Sequence, residues 1–380
     1  MIKQMISNCR LLAILLMSMV LMASCNKDST VVAEDAYEGL PKTSVEKRDE
    51  MIKSGADWLA KQQRDTGNWG QFQGDVGIAA LTVRALNKVN PVKYKKEIDK
   101  GLELILSRQI KEGKNKGAFQ SALVGRFLNY NTAISIMMLN DIDPKKYSKE
   151  IKMGQDFITG LQFKVEKDVQ NFGAIGYGSQ IRGDLSNTQY ALQALVETGV
   201  PKDSPVYLRV KKFLLRTQNP DGGAAYGVGD VSEGKSEIVR VGDDEYHKSY
   251  GSMSYALIKC MIYLDLKKGD KSLDAAFNWV VNNYTLEENP GLKTVADPAK
   301  GFEGIYYYFH TFAKSLHLYG VDEIPLKDGR KVDWRAELID RLADLQKDKS
   351  FWYNDIKDRW GEVDSNLCTA YALLTLCETR

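Results

Sequence analysis

A dense run of polar side chains opens an apolar helical segment, DLSNTQYALQALVETGV, which begins at Asp184. Ser186 and Gln189 have the S-x-x-Q spacing of a capping box, in which two side chains satisfy backbone N–H groups at a helix start. The capping box accounts for Ser186 and Gln189, but it does not explain the presence of Asp184, Asn187 and Thr188. A carboxylate can act as a general acid or base, and amide and hydroxyl groups can bind a polar ligand.

Comparable side chains open later helical segments. His310 is a candidate acid or base because imidazole titrates near neutral pH, and Glu362 and Asp364 add two carboxylates. We predict catalytic roles for Asp184, His310, Glu362 and Asp364. We predict ligand contacts for Asn187, Thr188, Gln189, Tyr250, Tyr306, Tyr307, Arg359 and Trp360.

Each of these residues also has a structural alternative. Asp364 has the position of a helix N-cap, and Glu362 can pair with Arg359 at the protein surface. His310 can be a structural histidine, and at least one tyrosine of the run 306–308 is expected to serve in packing. The set as a whole therefore predicts a ligand pocket more strongly than any single member does.

Six copies of one helical hairpin account for how these residues come together. Each copy has an amphipathic helix, a glycine-rich polar loop and a second helix that is apolar over much of its circumference. We predict an all-α (α/α)6 toroid with the second helices inside, so that their first turns converge at one mouth. An open solenoid is the alternative. Closure is favoured because Trp58 in the first copy and Leu373 in the last show no polar outer face.

The loops of these hairpins share a signature, seen most fully at Gln63, Gly67 and Trp69. Other loops retain parts of it, namely Gln346 with Trp352, Gln109 with Gly113, and Gln218 with Gly222. The glutamine amide can bind unpaired backbone groups at a helix end while the indole covers them. These loops resemble those of squalene and oxidosqualene cyclases and of protein prenyltransferase β subunits. The resemblance covers about 49–380 and implies a toroid with a central cavity.

The chemistry of those families does not transfer with the resemblance. The aspartate-rich D-x-D-D motif of the squalene-type cyclases is absent, and so is the D-x-C plus distant histidine arrangement that holds zinc in the prenyltransferases. Three hypotheses remain. In the first, the toroid binds a lipid ligand in a polar and aromatic cavity and can also transform it. In the second, it is a carbohydrate-active enzyme that uses paired carboxylates, and in the third it is a binding protein without catalysis.

The start of the chain predicts export. Lys3 and Arg10 precede an apolar run that ends in small residues before Cys25, and the stretch LMASC resembles the lipobox of bacterial lipoproteins. That resemblance implies lipidation of Cys25. We therefore predict a signal peptide at 1–24, a flexible tether at 25–46 and the toroid at 47–380, with the protein lipid-anchored in the bacterial cell envelope, at the outer membrane.

Composition limits the partners. The 52 basic and 50 acidic residues are dispersed and give a net charge of +2, so no basic field attracts nucleic acid. The acidic loop at 243–247 lacks cysteine ligands and helical histidine pairs, and we predict no metal and no other cofactor. We expect a monomer with a small lipid or saccharide ligand, and with Cys260, Cys368 and Cys377 as buried thiols.

Overall fold

The computed structural model describes residues 39–70, 75–121, 127–178, 182–228 and 235–380. Within these ranges, twelve α-helices form six hairpins. The first helices of the hairpins are α1 (Lys42–Lys61), α3 (Lys95–Ser107), α5 (Ser148–Gly160), α7 (Pro205–Thr217), α9 (Lys271–Asn283) and α11 (Trp334–Leu345). The second helices are α2 (Val76–Val89), α4 (Leu128–Ile142), α6 (Leu185–Glu197), α8 (Gly251–Tyr263), α10 (Ile305–Tyr319) and α12 (Ser365–Cys377).

Burial separates the helices into two layers. In α6 every residue from Leu185 to Leu195 is buried, whereas α5 buries one stripe and exposes the rest. A helix that is apolar on all sides must be covered on all sides. The second helices therefore form an inner ring, and the first helices lie outside it.

The ring is closed. Each inner helix packs on the next in chain order, and α12 returns to pack on α2. The outer layer closes too, because α11 contacts α1. The predicted (α/α)6 toroid is therefore confirmed, and the open solenoid is excluded. Contacts between the first and last hairpins cover the apolar faces that an open stack would expose to water.

The loop glutamines brace neighbouring hairpins. Gln63 Nε2 donates to the carbonyl oxygen of Gly67 in its own loop, at 3.2 Å, and to that of Glu97 in α3, at 2.8 Å. The same pair of bonds recurs from Gln109 to Gly117 and Glu150, from Gln162 to Gly173 and Val206, and from Gln218 to Gly222 and Ser272. In the second repeat the glutamine thus bonds Gly117, while Gly113, at the predicted spacing, has a turn conformation with φ of +78°. The third repeat carries the signature at Gln162, which the sequence pattern had not revealed.

The loop tryptophans satisfy helix ends. The Trp69 indole donates to the Leu59 carbonyl at 2.7 Å, and the Trp352 indole donates to the Leu342 carbonyl at the same distance. Both rings are fully buried. Gln346 reaches Ser54 of α1 at 3.2 Å, so a loop glutamine also spans the seam between the last and first hairpins.

The loop glycines make a sharp stability prediction. Gly173 has φ of +88°, and a Cβ there would lie 2.0 Å from the Arg209 carbonyl oxygen of α7. Gly199 has a similar φ of +79° with no atom within 4 Å of such a Cβ. We expect Gly199→Ala to cost about 1 kcal/mol through backbone strain alone, and Gly173→Ala to cost about 3 kcal/mol or more because overpacking is added. Urea unfolding of both variants measures the difference, and equal losses would contradict the clash.

Some local features differ from the sequence prediction. Helix α1 begins at Lys42, inside the segment predicted as tether, and residues 1–38, including Cys25, lie outside the described part of the chain. Two short antiparallel hairpins interrupt the helices. They are β1 (Ile238–Val241) with β2 (Asp244–His247), and β3 (Glu323–Pro325) with β4 (Lys331–Asp333). The first includes the acidic loop at 243–247, where the alternation of apolar and polar residues was too short to indicate strands.

The described part of the chain contains three cysteines. Cys260 and Cys368 are buried, and all three described cysteines are free thiols. No helix in the described ranges combines the length and the apolar character needed to cross a bilayer.

Candidate functional site

The polar start of α6 faces the interior of the ring. Ser186 Oγ lies 3.0 Å from the Tyr307 hydroxyl, and Gln189 Nε2 donates to the same hydroxyl at 3.1 Å. Tyr307 belongs to α10, which is separated from α6 by α8. These hydrogen bonds therefore cross the ring rather than joining neighbouring helices.

Asp184, not Ser186, caps α6. One oxygen of Asp184 accepts the Asn187 backbone N–H at 2.7 Å, and the other accepts the Asn187 side-chain amide at 2.8 Å. The predicted capping box at Ser186 and Gln189 is therefore wrong. Because Asp184 satisfies the helix start, these two side chains are available for contacts across the ring.

Asp184 is poised to exchange a proton. The residue has no exposed surface, and this burial raises its pKa to about 6, although hydrogen bonds from Asn187 and the nearby charge of Arg182 oppose the rise. The carboxyl group can therefore be present in both protonation states at pH values near neutrality. A pKa near the working pH is suited to general acid or base catalysis.

Aromatic rings surround this carboxyl group. The tyrosine cluster consists of Tyr130, Tyr177, Tyr190, Tyr226, Tyr250, Tyr307 and Tyr371. The Tyr130 ring lies 5.6 Å from that of Tyr177 and 5.3 Å from that of Tyr190, between centroids. Burial raises the pKa of every member, so all are neutral hydroxyls at physiological pH.

Hydroxyl groups link the cluster into chains. Tyr130 donates to Ser186 Oγ at 2.8 Å, and Tyr177 and Tyr226 share a hydrogen bond of 2.6 Å. The hydroxyls of Tyr190 in α6 and Tyr371 in α12 are 3.1 Å apart, which joins opposite walls of the ring. Hydrogen bonds therefore connect opposite walls of the ring interior at this level.

Thr188 has a structural partner that repeats around the ring. Its hydroxyl accepts the Ile175 backbone N–H at 2.9 Å. The equivalent hydroxyls are on Thr132, Ser254 and Thr369, each of which accepts one loop N–H at 3.0 to 3.1 Å. The predicted ligand contact at Thr188 thus competes with a bond that tethers the loop to the inner helix.

Glu362 caps a helix to which it does not belong. Helix α10 follows Gly304, which has no side chain for capping, and Glu362 instead accepts the Tyr307 backbone N–H at 2.9 Å. Its other oxygen accepts from Asn354 at 3.1 Å. Burial raises the pKa of Glu362 to about 7, although these hydrogen bonds oppose the rise. Both oxygens of Glu362 are thus hydrogen-bonded, as both oxygens of Asp184 are.

Asp364 has the structural role of an N-cap, which was the alternative to a catalytic role. It caps α12 by accepting the Asn366 backbone N–H at 2.8 Å, and it accepts the Asn366 side-chain amide at 3.0 Å. Asp75 occupies the same position in α2 and accepts the Ile78 N–H at 3.1 Å. These two aspartates interact electrostatically, since the charge of Asp364 contributes to a raised pKa of Asp75 after the larger effect of burial.

The remaining predicted ligand residues divide between the interior and the rim. Tyr250 is 2% exposed and belongs to the tyrosine cluster. Tyr306 points away from it and donates to the Tyr353 carbonyl at 3.3 Å, and the Tyr308 hydroxyl bonds the Thr285 carbonyl at 2.8 Å. Trp360 lies at the rim with 41% exposure.

Arg359 lines a cationic pocket of about 370 Å³ together with Lys235, Ser236, Glu237, Ile238, His247 and Lys300. The Arg359 guanidinium binds both oxygens of Glu303 at 3.2 and 3.3 Å. The Lys235 ammonium lies 5.2 Å from the ring centroid of Tyr226. This pocket therefore adjoins the tyrosine cluster and carries an excess of positive charge.

His310 lies deeper in the ring. Its ring is 5.5 Å from that of Tyr371, and only 7% of the residue is exposed. Burial and then the positive charge of Lys259 lower the pKa of His310 to about 3, which makes it a neutral imidazole at physiological pH. Its Nδ1 atom has no hydrogen-bond partner among the described residues.

An ionic network lies beyond His310, towards the carboxyl ends of the inner helices. Arg84 of α2 binds Asp141 of α4 at 2.5 Å and Glu197 of α6 at 2.6 Å. Glu378, at the end of α12, accepts ion pairs from Lys88 and Lys314 at 3.2 and 3.1 Å. These charges close one end of the ring interior with polar side chains.

Sequence reasoning missed part of the tyrosine cluster, notably Tyr177 and Tyr226. A signal for them exists in the repeats, because the loops GAIGYG and GGAAYG, which begin at Gly173 and Gly222, both place a Tyr-Gly pair four residues after the first glycine. Tyr190 lay inside the apolar helix pattern and carried no distinguishing signal. No group of three or more potential metal ligands occurs among the residues that the structure describes.

No family model matches the chain, and no curated protein matches it. Solved structures do. A type II terpene cyclase, MstE from Scytonema, in a Tyr-to-Phe variant, is similar with a TM-score of 0.60 at 13% identity, over 89% of this chain and 99% of that one. Another variant of that cyclase, in complex with its substrate geranylgeranyl dihydroxybenzoate, has a TM-score of 0.59 at 13% identity, over 89% and 98% of the two chains. A Glu-to-Ala variant of a glycosidase has a TM-score of 0.55 at 11% identity, over 89% and 98%. The terpene cyclase and the glycosidase share the toroid fold with this chain.

Proposed function

We propose that this protein is a cyclase-like toroid that binds a small lipid or saccharide in its ring interior and protonates an oxygen atom of that ligand with Asp184. The observation that carries the proposal is the placement of Asp184, a fully buried carboxyl group with a pKa of about 6, among the rings of the tyrosine cluster. Carboxyl groups with perturbed pKa values cluster at functional sites, because catalysis needs a pKa matched to its task.

The strength of the acid supports oxygen as the proton acceptor. A carboxyl group with this pKa is matched to leaving groups and ethers near neutral pH, and it is a weak acid for a bare alkene. Tyrosine faces can stabilise the positive charge that develops after protonation, because their quadrupoles attract cations. Their neutral hydroxyls can also donate hydrogen bonds to a departing oxygen.

The cross-ring hydrogen bonds support a small ligand. The Tyr190 to Tyr371 bond and the Gln189 to Tyr307 bond both span the interior. A long hydrocarbon would have to break these bonds and leave buried polar groups unpaired, at a cost of about 1–3 kcal/mol for each group. A compact prenyl-type lipid or a one- or two-ring saccharide fits this arrangement better.

The saccharide alternative rests on one specific observation. Gln189 Oε1 is buried and has no hydrogen-bond partner among the described residues, and a sugar hydroxyl could supply the missing donor. Asp184, Glu362 and Asp364 are each engaged at a helix start. We assign the acid to Asp184 because this carboxyl group lies among the rings of the tyrosine cluster.

Native mass spectrometry tests the proposal directly. The full chain, purified in mild detergent, would be incubated separately with a cell lipid extract and with a pool of envelope glycans, and the bound and released molecules would be identified. We expect one extract to yield a small adduct and a product that depends on Asp184. Adducts without any product would show that the protein binds its ligand without transforming it. The absence of adducts from both extracts would overturn the proposal.

We also propose that the protein is anchored in the bacterial envelope through Cys25, at the outer membrane, and acts there as a monomer. The supporting observation is the lipobox-like stretch that ends at this cysteine. Cys25→Ser should move the protein from the membrane fraction to the soluble fraction in its native host, because dual acylation provides the affinity. Cys9→Ser serves as the control. Unchanged membrane association of the Cys25 variant would contradict the anchor.

A further inference from the structure

We propose that a second subsite, deeper in the ring, binds an anionic group of the ligand, a carboxylate or small oxyanion, between Lys259 and His310. This inference rests on the proposed function in one respect, namely that a ligand enters the ring interior. It adds the chemical class of that ligand, which would be a small acid with a protonatable oxygen at its other end.

Lys259 is a buried cation without an ion pair among the described residues. The residue is 1% exposed, and its ammonium donates to the neutral side-chain oxygen Gln193 Oε1 at 2.8 Å. It lies 5.7 Å from the ring centroid of Tyr190, and Glu197, which accepts from the Gln193 amide at 2.8 Å, attracts it from beyond that amide. An ammonium has three donors, and a buried charge is normally paired because its desolvation is costly.

The surrounding network has one cation more than it has anions. In the described residues it contains the cations Arg84, Lys88, Lys259 and Lys314 and the carboxylates Asp141, Glu197 and Glu378. Every one of these cations except Lys259 has an ion pair. A bound anion at Lys259 would balance the charge of the network.

His310 supplies a second open polar group at the same level. It is neutral, its Nδ1 atom is unpartnered, and the residue is more than nine-tenths buried. The two side chains are linked through two tyrosines. Lys259 lies 5.7 Å from the ring of Tyr190, the Tyr190 hydroxyl is 3.1 Å from that of Tyr371, and the Tyr371 ring is 5.5 Å from that of His310. His310 and the adjacent Tyr371 retain 7% and 9% exposure, so water-sized space adjoins both.

The spacing between the two subsites sets the length of the ligand. Gln193, which holds Lys259, is nine residues along α6 from Asp184. At a rise of about 1.5 Å per residue this separation is roughly 13 Å along the helix axis. A ligand that reaches both subsites takes the place of the cross-ring hydrogen bonds of Gln189 with Tyr307 and of Tyr190 with Tyr371. Its own polar groups must then pair these side chains, which favours a sugar acid of about two rings over a short prenyl acid.

Matched pairs of probes test the inference, since each pair differs in one charge. The pairs are farnesoic acid with farnesol, and a disaccharide ending in glucuronate with its neutral glucose counterpart. We expect the full chain to bind the acid of one pair about 10- to 100-fold more tightly than its neutral mate, as charge-assisted hydrogen bonds do. The pair that shows the preference identifies the source of the anionic group. Isothermal titration in detergent provides the dissociation constants.

Lys259→Met is the decisive variant because it removes the charge and keeps the length of the side chain. It should abolish the preference for the acid, leave the affinity for the neutral mate within threefold, and maintain or raise the melting temperature. Lys95→Met, which removes one partner of an exposed pair with Asp99, is the matched control and should retain the preference.

Several outcomes would overturn the inference. An equal affinity of acid and neutral probes would show that only water occupies the space near Lys259, while the proposed function would stand if both probes bind. A preference that persists in Lys259→Met would place the anion elsewhere, with the cationic pocket at Arg359 as the next position to test. A marked fall in melting temperature would show that Lys259 serves the fold. If neither pair binds, both this inference and the proposed ligand classes fail.

Discussion

Replacing Asp184 with Asn should lower the rate of ligand transformation about 100-fold or more, the range typical for the loss of a general acid, while ligand affinity changes only a few-fold. Asparagine is a good N-cap, so it can still accept the Asn187 backbone N–H that Asp184 accepts at 2.7 Å. The start of α6 should therefore persist. Product formation under single-turnover conditions, measured beside the dissociation constant, separates the two effects.

A matched control exists on the outer layer. Asp333 caps α11 by accepting the Arg335 and Ala336 N–H groups at 3.0 and 3.2 Å. Asp333→Asn makes the same chemical change at a helix start outside the ring interior, and it should leave the rate unchanged. An Asp184→Asn protein that turns over its ligand at the normal rate would show that Asp184 only caps α6.

The pH dependence gives an independent test of the same role. If the acid form of Asp184 is required, the rate should fall about tenfold per pH unit above pH 6, because the pKa is about 6. The pKa in the folded protein lies above the ordinary aspartate value of 3.8, so the proton favours the folded state and stability falls as pH rises between these values. The total effect is about 3 kcal/mol. Asp184→Asn should lose this component, and urea unfolding at pH 4 and pH 8 detects it.

The second large effect is expected at Arg84. Arg84→Met should destabilise the fold by about 3–5 kcal/mol, because removal of one partner leaves buried carboxylates unpaired. Arg84 is 8% exposed and binds both Asp141 and Glu197. Burial alone would raise the pKa of Glu197, but Arg84 and its neighbours hold it at about 2. Urea unfolding at pH 7 measures the loss.

The sign of the pH effect distinguishes charge from packing at this site. The pKa of Glu197 in the folded protein lies below the ordinary glutamate value of 4.5, so its contribution to stability is present above that pH and is lost as pH falls towards 2. In Arg84→Met the unpaired carboxylates should instead take up protons, and the deficit relative to wild type should be smaller at pH 4 than at pH 8. Adding Glu197→Gln should restore part of the stability. A deficit independent of pH, or no rescue, would contradict this explanation.

The architecture was accessible from the sequence because it is written in local patterns. An amphipathic helix, a glycine-containing loop and an apolar helix recur six times, and a ring with the apolar helices inside covers them on all sides. The position of Asp184 at an inner helix start followed from the same pattern. So did the expectation that Asp364 could be an N-cap, which the structure confirms.

The roles of individual polar side chains were decided by partners from other repeats. Ser186 and Gln189 matched a capping box in sequence, yet they bond Tyr307 across the ring because Asp184 already satisfies α6. Glu362 looked like a rim carboxylate, but it supplies the cap that Gly304 cannot provide.

The sequence by itself determined the toroid, the layer in which each helix lies and the mouth at which polar residues gather. Only the tertiary structure decided which tyrosines surround Asp184, that Tyr306 points away from the interior, and that Lys259 lacks an ion pair among the described residues. The physical reason is the range of the interactions. Helix formation and burial depend on periodicities within one segment, whereas hydrogen bonds and ion pairs depend on distances of about 3 Å between segments far apart in the chain.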